Sequence, residues 1–311
     1  MKNIKIFLAA LCMFAMVLSI VGCGDDSSLY QEDKQGYVFK VDEGMGECMF
    51  VGVSKSDISE VKIPSEFKGM PVTGVSLYGL YGASIKSVYI PSTVNNIAVM
   101  YTSEEYMNFS AGNNLTKIEV DENNEEYRCI DNCVINSFGD VVLGCQNSVI
   151  PEDESVSKIR FYAFGYCKGL NSITIPSNIS NFVGNPFAGC NELTNIVSEN
   201  SNFKVVNNCL IHSGRIVTGM KNSVIPTDSE VYAIDDNAFT GITDLKSITI
   251  PENIKEIRAQ AFKGCTGLEK VTFSLTEGWT ANEEAVEGLN DSENAASLLT
   301  GLYADETFER E

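Results

Sequence analysis

Residues 163–176 read Ala163-Phe164-Gly165-Tyr166-Cys167-Lys168-Gly169-Leu170-Asn171-Ser172-Ile173-Thr174-Ile175-Pro176. Counted from Phe164, Leu170 lies six residues on, Ile173 nine and Ile175 eleven, and Pro176 closes the run. The spacing returns from Phe187 with Leu193 and Ile196, from Phe239 with Leu245, Ile248, Ile250 and Pro251, and from Phe262 with Leu268, Val271 and Phe273. Phe109 fits with Leu115, Ile118 and Val120. Leu80 begins a worn copy, one residue short, that ends in Val88, Ile90 and Pro91. Phe164 and Phe187 are 23 residues apart, as are Phe239 and Phe262.

A longer period lies above this one. Asn147-Ser148-Val149-Ile150-Pro151 recurs as Asn222-Ser223-Val224-Ile225-Pro226, and Ser172-Ile173-Thr174-Ile175-Pro176 as Ser247-Ile248-Thr249-Ile250-Pro251, both at a shift of 75 residues. Upstream, Asn132-Cys133-Val134-Ile135 matches Asn208-Cys209-Leu210-Ile211 at a shift of 76, so one residue is lost between Ser213 and Arg215.

Physically, alternate residues Ile173 and Ile175 point to one side of a short strand. Pro176 ends the strand because it has no N–H for a central ladder. Leu170 turns in ahead of the strand, Phe164 fills the opposite side of the same coil, and Ala163 allows close backbone approach. Residues 178–183 and 253–257 carry the chain round to the next coil. No coil buries these side chains alone; stacked coils do.

Ala163-Phe164, Ala238-Phe239 and Ala261-Phe262, with Gly189-Cys190 and Gly264-Cys265 and the following Leu, Ile and Ile-Pro positions, resemble the BspA-type (Treponema-type) leucine-rich repeats. The 23-residue step falls within the roughly 20–29 residues of such repeats. Tyr37 to Val41, Cys48 to Val53, Val61-Lys62-Ile63-Pro64, Gly69 and Pro71-Val72-Thr73 are similar to the β-rich segment that leads into these repeats. Trp279 and the stretch Asp291 to Tyr303 resemble their C-terminal tail. The resemblance spans about residues 37–303. It departs locally at Ile242, which replaces a cysteine, at Ser198, and over a long irregular coil at 92–108. It implies a repeat solenoid with short parallel strands, about 23-residue coils, few helices, and a helical C-terminal cap. In that cap Asp291 or Ser292 is the N-cap, with Leu298 and Leu302 on one face and Leu299 beside them.

At the N-terminus Lys2 and Lys5 precede an apolar run, Ile6 to Ile20, interrupted only by Ser19. Such a run with a small-residue stop is a secretory signal, shorter than the about 20 apolar residues of a span. Ile20-Val21-Gly22-Cys23 resembles a bacterial lipobox, which implies a diacylglyceryl group on Cys23 and cleavage before it. Two acyl chains anchor stably where one does not. The expected organisation is a signal at 1–22, a lipidated cysteine with a polar, flexible tether at 23–36, a β-rich lead-in at 37–63, coils at 64–275 and a cap at 276–311.

The chain has 42 acidic and 22 basic residues, a net charge of −20; losing the signal, with its two lysines and no acid, makes it more negative. A basic footprint for nucleic acid is absent, and membrane contact is expected through the lipid anchor alone. The charge first supplies solubility and is compatible with basic partners or cations. Of ten cysteines, Cys12 leaves with the signal and Cys23 carries lipid. Cys133 and Cys209 are equivalent, as are Cys190 and Cys265, and Cys167 has the same offset from its phenylalanine. They read as small buried hydrophobes and free thiols. Cys48, Cys129 and Cys145 lie off the repeated positions and leave disulfides open.

The search for chemistry returns no catalytic set, no metal site and no cofactor motif. His212 is the single histidine and reads as a solvated loop residue. Asp121-Glu122-Asn123-Asn124-Glu125-Glu126 lacks the glycine and ligand alternation of a calcium loop and reads as a solvated turn. What remains is a ribbon of outward strand residues: Ser87, Tyr89, Lys117, Glu119, Ser172, Thr174, Ser247, Thr249, Lys270 and Thr272. Solenoids bind along such faces; Tyr89 is the expected aromatic anchor, and Lys117, with Lys270 next, supplies positive charge on an otherwise acidic protein. The resemblance implies an adhesin-like, lipid-anchored cell-surface module for an extracellular protein or glycan. A second reading is a structural surface spacer or envelope component; an enzyme is the third. Replacing Cys23 with alanine should leave the chain unprocessed or released, as read by membrane fractionation. A variant that is cleaved and still membrane-bound overturns the anchor.

Overall fold

The computed structural model describes residues 29–82, 84–98 and 112–310. The signal, Cys12, Cys23, Phe109 and most of the irregular coil lie outside the described residues.

The chain winds as a solenoid in which the two sides of each coil add to two different sets of strands. On one side lie the short parallel strands expected from the Ile-x-Ile-Pro pattern. Glu60–Lys62, Ser87–Ile90 and Lys117–Val120 pair in parallel, as do Ser172–Ile175 with Asn195–Ser198 and Ser247–Ile250 with Lys270–Phe273. The last two pairs repeat each other at the 75-residue shift, with the alternating exposed–buried pattern that one covered face imposes.

On the other side the 75–76-residue unit shows its cause. Tyr127–Ile130 and Cys133–Asn136 form a hairpin that returns as Asp140–Leu143, and this strand pairs in parallel with Lys158–Ile159 and then Asn181–Phe182. Phe203–Val206, Cys209–His212, Arg215–Gly219, Ala233–Ile234 and Glu256–Ile257 repeat the arrangement. One unit is therefore a three-stranded hairpin module followed by two coils. Both first turns, Asp131-Asn132 and Asn207-Asn208, take positive φ at both residues, the geometry of tight hairpins that Asn and Asp tolerate. The second turn explains the lost residue: Ser137-Phe138-Gly139 in the first unit is Ser213-Gly214 in the second.

The core follows the phenylalanines. Phe164, Phe187, Phe239 and Phe262 are buried, and their rings pair within each unit, centroids 5.4 Å apart for Phe164–Phe187 and 5.0 Å for Phe239–Phe262. A Cβ added at Gly144 would collide with the Phe164 ring, and one at the equivalent Gly219 with Phe239. These two glycines let the ring lie against backbone. Cys133, Cys190, Cys209 and Cys265 are buried as expected, and all eight described cysteines are free thiols, Cys48, Cys129 and Cys145 among them. The Cys190 and Cys265 thiols donate to the carbonyls of Phe164 and Phe239 on the preceding coil, both at 3.0 Å.

An asparagine ladder, which the hydrophobic period does not reveal, joins the turns after the face strands. Asn178 Nδ2 donates to the carbonyls of Pro151, Asp153 and Val156, and Asn253 Nδ2 to those of Pro226, Asp228 and Val231. Asn124 and Asn200 do the same one coil back, to Pro91 and Val94 and to Ser177 and Ile179. Turn carbonyls that no strand can pair thus find a donor. Glu122, Asn123, Glu125 and Glu126 of the acidic run are exposed, but half-buried Asn124 makes the run a coil clasp rather than only a solvated turn.

Four expectations change. Tyr30–Glu32, assigned to the tether, is a strand antiparallel to Tyr37–Asp42, because its backbone completes that sheet's edge. The lead-in sheet runs past residue 63: Met70–Ser76 pairs with Glu47–Val53 and Asn96–Ala98 with Met70–Ser76, while Glu60–Lys62 already belongs to the coil face. In the cap, Ser292–Ser297 is a helix whose N-cap Asp291 accepts from the N–H groups of Glu293 and Asn294. Leu302, however, is 74% exposed, and the buried face is Ala295, Ala296 and Leu299, since the chain continues there as a wider turn, Leu298–Leu302. Phe308–Arg310 then returns antiparallel to Glu256–Ile257 and pairs on its other side with Trp279–Ala281. Finally, His212 is not a solvated loop residue; it ends the strand Cys209–His212, its ring 4.7 Å from Phe203.

Truncating Phe164 or Phe239 to alanine should cost about 3–5 kcal/mol by lost transfer and cavity terms, against about 0.5 kcal/mol or less for Thr174→Ala. Denaturant midpoints measure both, and equal losses would contradict the inside–outside assignment. Burial pushes the thiols of Cys133, Cys190, Cys209 and Cys265 up to about 12. The reactive species is the thiolate, so these four should resist iodoacetamide at neutral pH and react after denaturation. Mass spectrometry reads the labels, and rapid native labelling would refute the packing.

Candidate functional site: the strand face

Two rows of outward side chains run the length of the coil face. One holds Glu60, Ser87, Lys117, Ser172, Asn195, Ser247 and Lys270; the other, two residues on, holds Lys62, Tyr89, Glu119, Thr174, Val197, Thr249 and Thr272, each pair aligned by strand register within its own sheet. The rows are set by the strand period, since residues flanking a buried Val or Ile must point outward. Every residue expected on the ribbon lies on these rows. Glu60, Lys62, Asn195 and Val197 complete them. Asn147 with Val149, and Asn222 with Val224, occupy the same places ahead of Pro151 and Pro226 and are exposed. The missed signal was the proline: the rows stand four and two residues ahead of it, including at Pro64.

The ribbon is not one continuous sheet. It falls into three, because the first turn of each hairpin module wedges between coils. Asn132 Oδ1 accepts from the Ile118 N–H at 3.1 Å, and Val149 N–H donates to Asp131 at 3.0 Å. The Asp131-Asn132 turn thus stands in for a strand between Lys117–Val120 and the next coil. Val224 N–H donates to Asn207 in the second module in the same way.

The rows differ in charge along their length. The first three coils present Glu60 and Lys62, Ser87 and Tyr89, Lys117 and Glu119. Lys117 is not a free cation: its ammonium lies 2.9 Å from Glu119. The Tyr89 hydroxyl donates to Asp121, and Lys62 Nζ sits 5.3 Å from the Tyr89 ring centroid. That hydrogen bond holds the Tyr89 hydroxyl above its usual range, with desolvation second, and holds the Asp121 carboxyl below its usual range. The Tyr89 ring is thereby fixed at the rim of a concavity of about 590 Å³ that also takes in Glu119, Asp121, Glu122, Asp131 and Asn132. Burial raises the thiol of Cys129, which also lines it, to about 11. The arrangement concentrates carboxylates around an aromatic face, which attracts cations.

From Asn147 to Thr249 the rows carry no charge. The chemistry elsewhere is structural. Asp140 and Arg160 pair at 3.3 Å on the opposite side of the solenoid, while their equivalents 75 residues on, Arg215 and Asp235, pair at 3.7 Å with the charges exchanged. Arg215 and Arg258 also hold Glu256, at 2.8 and 2.5 Å. Among the described residues, no group of three His, Cys, Asp or Glu side chains is placed to hold a metal ion, and no helix is long and apolar enough to cross a membrane.

None of the curated proteins matches the sequence. Among solved structures, a leucine-rich cell surface protein from Faecalibacterium prausnitzii is 17% identical, over 81% of this chain and 78% of that one, with a TM-score of 0.37. A leucine-rich repeat protein of T. pallidum is 18% identical, over 87% and 96%, with a TM-score of 0.29. One from Bacteroides ovatus is 20% identical, over 79% and 72%, with a TM-score of 0.33. The family model for the BspA type leucine-rich repeat region matches residues 136–218 and 216–278, in six copies. Those are the residues in which the phenylalanine, cysteine and Ile-Pro positions recur most regularly, and this segment carries BspA type leucine-rich repeats.

Proposed function

We propose that the chain is a surface-displayed binding module, held to the membrane through a lipid on Cys23, that takes an extracellular protein along its strand face. The observation that carries this reading is the pair of exposed rows, with Tyr89 fixed at one end among Glu119, Asp121, Glu122 and Asp131. An extended face gives many small contacts, and one pre-oriented aromatic gives an anchor. Preorganisation matters here: the hydrogen bond to Asp121 holds the Tyr89 ring before any ligand arrives. The carboxylates favour a ligand that offers lysine or arginine side chains at this end.

Attraction between an acidic site and a basic ligand is screened by salt, so a basic protein such as lysozyme, used as probe, should bind less tightly as ionic strength rises. Tyr89→Ala should weaken it. Lys117→Ala should tighten it, because removing Lys117 frees Glu119. The double variant Thr174→Lys with Thr249→Lys should weaken it by placing two cations on the face. Calorimetric titration reads all three. If every variant binds as the parent does, the ligand site lies off this face.

A further inference from the structure

The length of the strand face that holds no carboxylate has an order of its own. Read along the solenoid, its coils present Asn147 and Val149, Ser172 and Thr174, Asn195 and Val197, then Asn222 and Val224, Ser247 and Thr249, Lys270 and Thr272. On a chain with 42 acids, these six coils put no carboxylate into either row. Three of the outward residues are valines, Val149 and Val224 63% exposed and Val197 44%. A valine is not needed there for the fold, since threonine fills the equivalent place on the coils between and has the same β-branched fit to a strand.

The order also reads nearly the same in both directions. About its midpoint, the Asn207-Asn208 turn, Val197 mirrors Val224, Asn195 mirrors Asn222, Thr174 mirrors Thr249, and Ser172 mirrors Ser247. Only the outermost pair differs, Asn147 and Val149 against Lys270 and Thr272. This symmetry has a cause: each 75-residue unit contributes an Asn/Val coil, a Ser/Thr coil and a third coil, so two units in tandem approach a palindrome.

We infer that this stretch is a self-association surface on which a second copy of the chain packs face to face with its coil order reversed. Such packing is isologous, with one patch meeting itself about a two-fold axis. An axis parallel to the strands keeps the rows in line, so Val197 meets the other copy's Val224 and Thr174 its Thr249. The flanking charges avoid like-charge encounters in that register: Lys221 falls opposite Thr194, Lys246 opposite Asn171, and Glu252 opposite Ser177. Two chains of net charge −20 repel over most orientations, and this is the stretch of face where they meet without opposing carboxylates. Six coils at about 4.8 Å, with one wedged turn, and strands about 13 Å long give about 400 Å² per copy, under the about 800 Å² per partner of a stable complex. The dimer is therefore weak and reversible, formed where chains are crowded.

The inference adds a partner to the binding reading and uses other coils than the Tyr89 end, and salt separates the two. Binding of a basic protein weakens with salt, whereas self-association must strengthen, because salt screens the repulsion between copies. Sedimentation velocity of the full chain over a concentration series, at about 0.05 and 0.5 M NaCl, should show a monomer–dimer equilibrium that shifts toward dimer at the higher salt. Val197→Asp with Val224→Asp should weaken the dimer about tenfold or more by opposing two pairs of like charges. Val197→Lys with Val224→Asp should restore it, since each lysine then meets an aspartate of the other copy. Thermal melting confirms that these exposed substitutions leave the fold intact. A chain that stays monomeric throughout, a dimer indifferent to the aspartate pair, or one not restored by the lysine–aspartate pair overturns the inference, and none of these results bears on the Tyr89 end.

Discussion

Each aromatic ring in the repeat is covered by residues that belong to other coils. Phe164 lies between the ring of Phe187, one coil on, and the bare backbone of Gly144, one strand back. Phe239 lies in the same way between Phe262 and Gly219. A coil taken alone would leave its ring in water, so burial, and with it most of the driving force for folding, exists only as a property of neighbours. The parallel ladders, the cysteine thiols donating to the preceding coil and the asparagine ladder all follow from that stacking. They satisfy backbone groups that close packing removes from water.

The hairpin modules interrupt this regularity without breaking the core. Their first turns enter the coil face and take over strand hydrogen bonds, while their strands add to the opposite side, where ion pairs line the sheet. These pairs are half-exposed or more on at least one partner in the first unit and more enclosed in the second, so their contribution to stability is modest in the open case. The ends are handled separately. The lead-in sheet covers the first coils, and the Asp291-capped helix with Phe308–Arg310 covers the last. Arg310 fastens this closing strand by donating to the carbonyl of Ile254 at 3.3 Å and stacking over Trp279 at 5.6 Å.

The coil pattern was legible because Phe, Leu, Ile and Pro each have one physical reason to recur. The same period placed the buried cysteines and the outward rows. The hairpin modules were not legible as such: Cys133-Val134-Ile135 and Cys209-Leu210-Ile211 are continuous apolar runs, buried on both sides, and give no alternation to read. The partners of Tyr89 and Lys117 were hidden for another reason. Asp121 lies beyond the end of a neighbouring strand, and Lys62 comes from a segment whose coil membership depends on Glu60–Lys62 joining the face. Leu302 was misplaced because a helical face was extended past the point where the helix widens.

The exchange of charges between Asp140–Arg160 and Arg215–Asp235 bears on how a chain with two near-copies of one unit avoids confusing them. Were Asp140–Leu143 to stack on Ala233–Ile234 instead of Lys158–Ile159, the hydrophobic residues would fit almost as well, since the units were matched by their apolar positions. Asp140 would then meet Asp235, and Arg160 would meet Arg215. Each module therefore carries an electrostatic address for its own coils. That gives a chain with two near-copies of one unit a means of rejecting intramolecular misthreading, and of rejecting exchange of units between copies.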